Sequence, residues 1–214
     1  MYVLERDTLP PTLTEIGDSI FHGCTSLSEV TLPPTLTKIE CSAFSECTSL
    51  SEVTLPPSLI KLGVQAFFEC RSLSEITLPP NLTTIGEGTF CQCTSLGSEV
   101  TLPPSLAEIG NSAFFDSTSL SEIVLPPNLT ELGAQAFCSC TSLSEITLPP
   151  SLAEIGNSAY FQCTSLSEIT LPARPVKIGS QAFGLPRDAA PTSGTVVVTK
   201  EPDQDPRAIE PMPF

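Results

Sequence analysis

The stretch that decides the fold is LSEVTLPPTLTKIECSAFSECTSL, at residues 27–50. The same order of residue types returns every 23 residues along most of the chain, with one step of 24 where Gly97 is inserted. Self-similarity at such a period is the signature of a solenoid, in which each repeat forms one turn and stacks on its neighbours. The sequence therefore predicts roughly eight turns between about residue 4 and residue 183. One leucine per repeat shows the register: Leu9, Leu32, Leu55, Leu78, Leu102, Leu125, Leu148 and Leu171.

Each turn is predicted to open with a short strand. In residues 27–32, the apolar Leu27, Val30 and Leu32 face inward, while Glu29 and Thr31 between them face outward. Two prolines then end the strand, because proline has no N–H to donate to a neighbouring strand. The segment TLTKI that follows predicts a second, shorter strand on the other side of the coil.

The rest of each turn is predicted to bend and to fill the core. A glycine follows the second strand in most turns, where a positive φ would let the backbone turn a corner. The next segment, such as NSAF at 111–114, carries an Asn that can cap a single helical turn. The glycines are Gly17, Gly63, Gly86, Gly110, Gly133, Gly156 and Gly179, and the aromatic residues that plug the core are Phe21, Phe44, Phe67, Phe90, Phe114, Phe137, Tyr160 and Phe183.

The pattern LxxVxLPxxLxxIGxxAFxxCxxL resembles the BspA-like leucine-rich repeat, also called the TpLRR type, over about 180 of the 214 residues. The resemblance implies a mostly β, curved solenoid with parallel strands on its concave side and short helical turns elsewhere. It also implies a surface protein of bacteria or protists that binds other proteins or matrix. No enzymatic activity and no catalytic residues come with it.

The outward positions of the first strand form two columns that should lie on the concave face. One is acidic and the other is rich in threonine. The acidic column admits three interpretations: a solvated face that keeps an open sheet soluble, a docking surface for a basic partner, or a divalent-cation surface without a multidentate loop. The two columns contain Glu29, Glu52, Glu75, Glu99, Glu122, Glu145, Glu168, Thr31, Thr54, Thr77, Thr101, Thr147 and Thr170, with Val124 in place of one threonine.

Two-turn blocks of the array are copies of each other. Turns 4 and 6 share PPNLT with CQC or CSC, and turns 5 and 7 share PPSLAEIGNSA. Duplication of such a block preserves every column of residues equally, whether or not the column has a function. The evenness of the acidic column is therefore not by itself evidence of a role.

Cysteine usage favours packing over chemistry. Six of the nine cysteines form one column, which we interpret as small buried thiols. The pairs CQC and CSC lack the further ligands of a zinc site, so no metal or other cofactor is predicted. The column contains Cys24, Cys47, Cys70, Cys93, Cys140 and Cys163, and Ser117 replaces one member.

A second contact site depends on the residues that follow the aromatic column. Phe68, Phe115 and Phe161 form an apolar ridge if they are exposed, and belong to the core if they lie under the neighbouring turn. Their burial decides between the two interpretations.

Composition narrows the classes of function. A formal net charge of −15 with nine basic residues disfavours binding to nucleic-acid phosphates. No stretch has the roughly 20 apolar residues of a membrane span. The single histidine, His22, stands in a terminal turn, so the array has no well-placed general base and no enzyme is predicted.

The leading hypothesis is a non-catalytic protein-binding module that uses the acidic face to bind a protein partner, which is basic if the acidic column is the docking surface. The alternative is a spacer, matrix or surface-adhesion repeat without a specific ligand. An ice-binding threonine ladder is a remote alternative, against which the adjacent glutamates argue. For localisation, the lack of a recognisable leader sequence and the number of thiols favour the cytoplasm, whereas the resemblance favours secretion or the cell surface.

The chain divides into a solenoid at residues 1–183 and a proline-rich tail at residues 184–214, which is predicted to be mostly disordered. Within that tail, TVVVT at 195–199 is a candidate strand against the last turn.

Overall fold

The structure is a computed structural model that describes residues 9–97, 100–184 and 195–197. Over these residues the chain is a mostly β solenoid of about seven turns, as the 23-residue period predicts. The first turn expected from the sequence starts at residues outside the described ranges. Whether the strands lie on a concave face stays a prediction.

In the described chain, four turns have a first strand, and each of these strands pairs in parallel with one in an adjacent turn. The strands are β3 (Glu52–Thr54), β5 (Glu75–Thr77), β9 (Glu145–Thr147) and β11 (Glu168–Thr170). In β3, β5 and β9 the middle residue is buried and the flanking Glu and Thr are exposed, because successive side chains of a strand point to opposite faces.

The second strand of each turn is two residues long and forms the more continuous sheet. Its inward residue is an Ile or Leu that packs in the core or, in the last turn, is partly buried. The order is β1-β2-β4 in one sheet and β6-β7-β8-β10-β12 in the other, and all pairs are parallel. The strands are β1 (Glu15–Ile16), β2 (Lys38–Ile39), β4 (Lys61–Leu62), β6 (Thr84–Ile85), β7 (Glu108–Ile109), β8 (Glu131–Leu132), β10 (Glu154–Ile155) and β12 (Lys177–Ile178).

The candidate strand of the tail is confirmed over three residues. β13 (Thr195–Val197) pairs antiparallel with β11, which is the first strand of the last turn. The backbone of β13 therefore covers the edge of that strand. Covering an edge in this way blocks pairing with other chains. The rest of the predicted disordered tail, from residue 185 onward, lies outside the described residues, and the division at residue 183 stays a prediction.

Columns of chemically similar residues form the core. The aromatic rings from Phe21 to Phe183 stack one on the next, with centroids 5.0 to 5.9 Å apart. Beside them, the thiol of Cys70 donates a hydrogen bond to the carbonyl of Phe44 at 3.1 Å, and the next members of the column repeat this contact. Ser117 replaces a cysteine and makes the same bond to Phe90 at 3.0 Å. The prediction of buried thiols is confirmed for this column except at Cys24, which is exposed.

The predicted short helical turns are wrong for the described residues, which contain no helix. In the segment NSAFFD, the N–H groups of Ser112, Phe114 and Asp116 donate to carbonyls of the next turn at 2.8 to 2.9 Å. A helix would need those N–H groups for its own carbonyls four residues back. Instead, Ser112 and Asp116 adopt left-handed φ values of 51° and 56°, a conformation that non-glycine residues seldom take.

The asparagine of that segment also acts differently from the prediction. The Oδ1 of Asn111 accepts a hydrogen bond from the N–H of Ala134 at 2.9 Å, one turn further along. Asn157 makes the equivalent bond to the N–H of Ser180 at 2.7 Å. The side chain therefore ties two turns together and does not cap a helix.

At five of its seven positions the glycine column has a different cause from the positive φ that the sequence suggests. None of its members has a positive φ. A Cβ at Gly133 would lie 2.4 Å from the carbonyl carbon of Gly110, and a Cβ at Gly156 would lie 2.3 Å from the N atom of Ala134. Real Cβ atoms do not approach backbone so closely, so glycine is needed here because adjacent turns come into contact at this corner.

Candidate functional site

The first-strand face carries the two outward columns that the sequence singles out, and we call them together the Glu/Thr stripe. All described side chains of the stripe are exposed. Glu99 lies outside the described residues, and only the backbone of Glu168 is described. The members are Glu29, Glu52, Glu75, Glu99, Glu122, Glu145, Glu168, Thr31, Thr54, Thr77, Thr101, Thr147 and Thr170.

Strand pairing brings glutamates of the stripe together in register. Glu52 pairs with Glu75 in one ladder, and Glu145 pairs with Glu168 in another. An isolated bridge joins Glu29 to Glu52. Because neighbouring strands lie about 4.8 Å apart and two unit charges at about 5 Å in water repel by about 0.8 kcal/mol, each such pair opposes folding slightly.

No cation of the described chain neutralises this row. Of the ion pairs that the described residues form, none includes a stripe glutamate. The lysines and arginines of these pairs lie on other sides of the coil, where they contact glutamates such as Glu40, Glu69 and Glu154. The stripe is therefore an exposed acidic surface whose charge is left for solvent or for a partner to neutralise.

The stripe is not one continuous ladder. Among the residues that the structure describes, which leave out 98–99, β5 contacts the next turn through one bridge from Thr77 to Thr101, and residues 121–125 form no strand. The column of glutamates in the sequence does not show this interruption. The interruption begins in the turn that contains the inserted Gly97 and extends to β9.

Two open clefts lie where the ladder is interrupted. One, of about 380 Å³, separates residues 100–104 from residues 122–127, and the other, of about 670 Å³, separates residues 121–127 from residues 144–150. Between them stands Val124, whose side chain is 74% exposed. The segment 122–125 is thus flanked on both sides by space that an incoming side chain can enter.

Sequence reasoning missed a second outward column, which belongs to the two-residue strands. Its charges vary from turn to turn, and its three lysines are all paired: Lys38 with Glu15 at 3.7 Å, Lys61 with Glu40 at 2.6 Å, and Lys177 with Glu154 at 2.6 Å. Glu108 and Glu131 line a groove of about 510 Å³ along the glycine corner. The signal that could have found the column is the position before the inward Ile or Leu. It contains Glu15, Lys38, Lys61, Thr84, Glu108, Glu131, Glu154 and Lys177.

The cysteines offer little to a metal or an electrophile. Burial raises the pKa of the Cys91 thiol to about 12 and that of Cys138 to about 11, so the CQC and CSC pairs remain protonated at neutral pH. Asp18, Glu40 and Cys41 have potential ligand atoms within 4.8 Å of one another. Two of these groups already form hydrogen bonds. Asp18 accepts one from the N–H of Cys41 at 2.9 Å, and Glu40 accepts one from Lys61 Nζ at 2.6 Å.

The remaining candidates from the sequence are resolved by burial. Phe68, Phe115 and Phe161 are partly buried, so they form neither a fully exposed ridge nor a fully buried part of the core. His22 is exposed, and its Nε2 lies 3.9 Å from Glu46 Oε1. Within the described ranges, no helix is long and apolar enough to span a bilayer.

Solved structures of bacterial repeat proteins are similar to this chain. The leucine-rich repeat protein TpLRR of T. pallidum is 28% identical with a TM-score of 0.59, and the match covers 82% of this chain and 73% of that one. A leucine-rich cell surface protein of Faecalibacterium prausnitzii is 28% identical with a TM-score of 0.51, over 77% of this chain and 52% of that one. A leucine-rich repeat protein of Eubacterium ventriosum shares the fold at 23% identity and a TM-score of 0.54, with 88% of this chain and 46% of that one covered.

No curated protein matches the chain in sequence. A family profile does match: six copies of the pattern described as "BspA type Leucine rich repeat region" cover residues 3–119 and 97–185. The matched residues include every described strand except β13. From its repeat, its parallel solenoid and this profile, the chain belongs to the BspA-type leucine-rich repeat family.

Proposed function

We propose that the chain is a non-catalytic protein-binding module that uses the Glu/Thr stripe to dock a basic partner. BspA-type leucine-rich repeats are typically interaction or adhesion modules and are generally non-catalytic, which supports the class of function. The observation that carries the proposal is the in-register row of exposed glutamates that form no ion pair with a cation among the described residues. A partner that supplies lysine or arginine relieves the repulsion within that row on binding.

Electrostatics of this kind act mainly on recognition. Charge complementarity steers the encounter and selects against acidic competitors more than it raises affinity. Exposed charges are screened within about 10 Å at 0.1 M salt, so the association rate falls as salt rises. An interaction module of this type therefore has fast, salt-sensitive association.

The test compares two pairs of glutamates that differ only in the face they occupy. Glu52 and Glu75 are register neighbours on the stripe, and Glu108 and Glu131 are register neighbours on the second-strand side. All four are exposed and take no part in the ion pairs of the described residues. E52Q/E75Q and E108Q/E131Q therefore change the net charge equally.

Affinity capture from lysate of the native source, quantified by mass spectrometry, is performed with the unaltered chain and both double variants. We expect at least one protein with a basic surface to be lost with E52Q/E75Q and retained with E108Q/E131Q. The proposal is wrong if every captured protein binds E52Q/E75Q as strongly as the unaltered chain.

An adhesion or spacer role without a specific ligand is the second candidate. Its support is the likeness to a leucine-rich cell surface protein. That role predicts that neither double variant loses a protein in the same capture, so one experiment separates the two functions.

A further inference from the structure

The interruption of the first-strand ladder coincides with the one substitution in the threonine column. Val124 occupies a position in the threonine column of the stripe, where the other turns carry threonine, and its side chain is 74% exposed. Its neighbours on the same segment, Ile123 and Leu125, remain buried at 4% and 6% exposure. The turn is thus anchored in the core, while its outer edge presents an apolar side chain beside two clefts.

A single exposed apolar residue is ordinary on a protein surface, so exposure alone proves nothing. Ile60 shows this, since it is 55% exposed in a column that carries Thr37, Thr83 and Thr130. No cleft described above is lined by Ile60. Val124 differs because it lines both clefts of the interrupted ladder.

The lining of the clefts defines what fits there. Leu125 and Pro127 contribute apolar surface to both clefts, and Pro150 contributes to the larger one. Glu122 lines both clefts, and Glu145 lines the larger one. An apolar floor with two carboxylates of adjacent turns beside it complements an apolar side chain that has basic ones next to it.

The backbone at this place also favours an extended occupant. Residues 122–124 belong to no ladder with a described neighbour, and the nearest link to the next turn is the N–H of Ser144 donating to Ser121 O at 3.3 Å. Backbone N–H and C=O groups outside a ladder can bond an extended chain that lies across them.

We infer that these clefts form a specificity site of the Glu/Thr stripe, which takes an extended segment that presents one apolar side chain to Val124 and, beside it, lysines or arginines to Glu122 and Glu145. This inference rests on the proposed function and adds the chemistry of the partner to it. The stripe attracts basic chains in general, and the Val124 site selects among them.

The probes are the synthetic peptides KGKVKGK and KGKGKGK, which carry the same charge and differ in one apolar side chain. Binding to the full chain is measured by fluorescence anisotropy at about 20 mM and about 150 mM salt. The chain offers matched variants: V124T restores the threonine of the column, I60T removes an exposed apolar residue elsewhere, and E122Q/E145Q removes the local charges. V124T is a small change at an exposed position, so folding is retained, and circular dichroism verifies this.

We expect KGKVKGK to bind the unaltered chain and I60T about 5-fold more tightly than KGKGKGK, because contact between two branched apolar side chains removes a few methyl groups from water. With V124T the two peptides bind equally. Higher salt weakens both peptides and preserves their ratio, since screening acts on the charges and not on the apolar contact. E122Q/E145Q weakens both peptides several-fold.

Different results contradict the Val124 site and the acidic docking surface. Equal binding of the two peptides by the unaltered chain, or an unchanged ratio in V124T, overturns the Val124 site while the acidic docking surface stands. Affinities for both peptides that survive E122Q/E145Q and E52Q/E75Q overturn the docking surface itself.

Discussion

The buried columns and the Glu/Thr stripe are equally regular in sequence, but only the buried columns are regular for a packing reason. Where the buried columns vary, the replacement fits the same space: Ser117 keeps the hydrogen bond of the cysteines, and Tyr160 keeps the ring stack. The stripe glutamates whose side chains the structure describes are exposed and form no ion pair within the described chain. Packing therefore accounts for the regularity inside the coil and leaves that of the stripe to copying or to function.

The largest contrast between inside and outside is expected in thiol reactivity. Cys24 and Cys41 are exposed, whereas the other seven cysteines are buried. Because burial raises the pKa of Cys47 to about 12, its thiolate is roughly 10³-fold scarcer at pH 8 than for an ordinary thiol of pKa about 8.5, and access is blocked as well. Titration with a chromogenic disulfide should show two fast thiols and seven that react only after denaturation.

The same burial gives a pH dependence. The folded state raises the thiol pKa, so its stabilising effect is present below the unfolded pKa of about 8.5 and is lost as the pH rises towards about 12. Urea midpoints should therefore be flat from about pH 7 to 8 and fall above about pH 9. Rapid labelling of all nine thiols at pH 8 in the native protein would contradict the packing of the columns.

The glycine corner is the next way to separate packing from copying. Gly133→Ala should lower the free energy of unfolding by about 3 kcal/mol, because its Cβ would lie 2.4 Å from the backbone of Gly110. Gly97 is the control, since a Cβ there meets no atom within 4 Å and its φ is not positive. Gly97→Ala should leave stability unchanged or raise it by a few tenths of a kcal/mol. Urea denaturation measures both, and equal effects at the two positions would show that the corner is not tightly packed.

The aromatic column contains one imperfect replacement, at Tyr160. Its hydroxyl is buried and has no hydrogen-bond partner, which costs about 1 to 3 kcal/mol for a polar group of this kind. Tyr160→Phe should therefore stabilise the chain by about 1 kcal/mol, and Phe137→Tyr should destabilise it by a similar amount. Thermal unfolding of the two variants measures this, and a loss of stability in Tyr160→Phe would show that the hydroxyl has a role in the fold.

Substitutions in the stripe should have the smallest effect on stability, and the effect should be a gain. E52Q/E75Q removes two like charges that pair in register, so the Tm should rise by about 1 to 2 °C at low salt and the gain should shrink at high salt. E108Q/E131Q removes another exposed in-register pair, so it should raise the Tm by a similar amount. A fall in Tm for E52Q/E75Q would mean that the glutamates serve the fold, as the buried columns do.

The sequence predicts the period, the two strands, the parallel stacking and the buried aromatic and cysteine columns, because each is a local pattern repeated at a fixed spacing. It misses the left-handed residues such as Ser112 and the true cause of the glycines, since both arise from hydrogen bonds and contacts between turns. It also misses the interrupted ladder around Val124. Those features depend on how one turn lies on the next, which a single repeat does not encode.

The central claim is that the Glu/Thr stripe, and not the acidic part of the second-strand side, is where a basic chain binds. The direct measurement is a titration of the full-length protein with KGKVKGK, followed by amide chemical shifts in ¹H–¹⁵N NMR spectra. The account predicts that the shifted amides cluster at residues 52–54, 75–77, 122–125 and 145–147, with the largest changes around Val124. Shifts centred on Glu108 and Glu131, or spread evenly over all acidic residues, would contradict it.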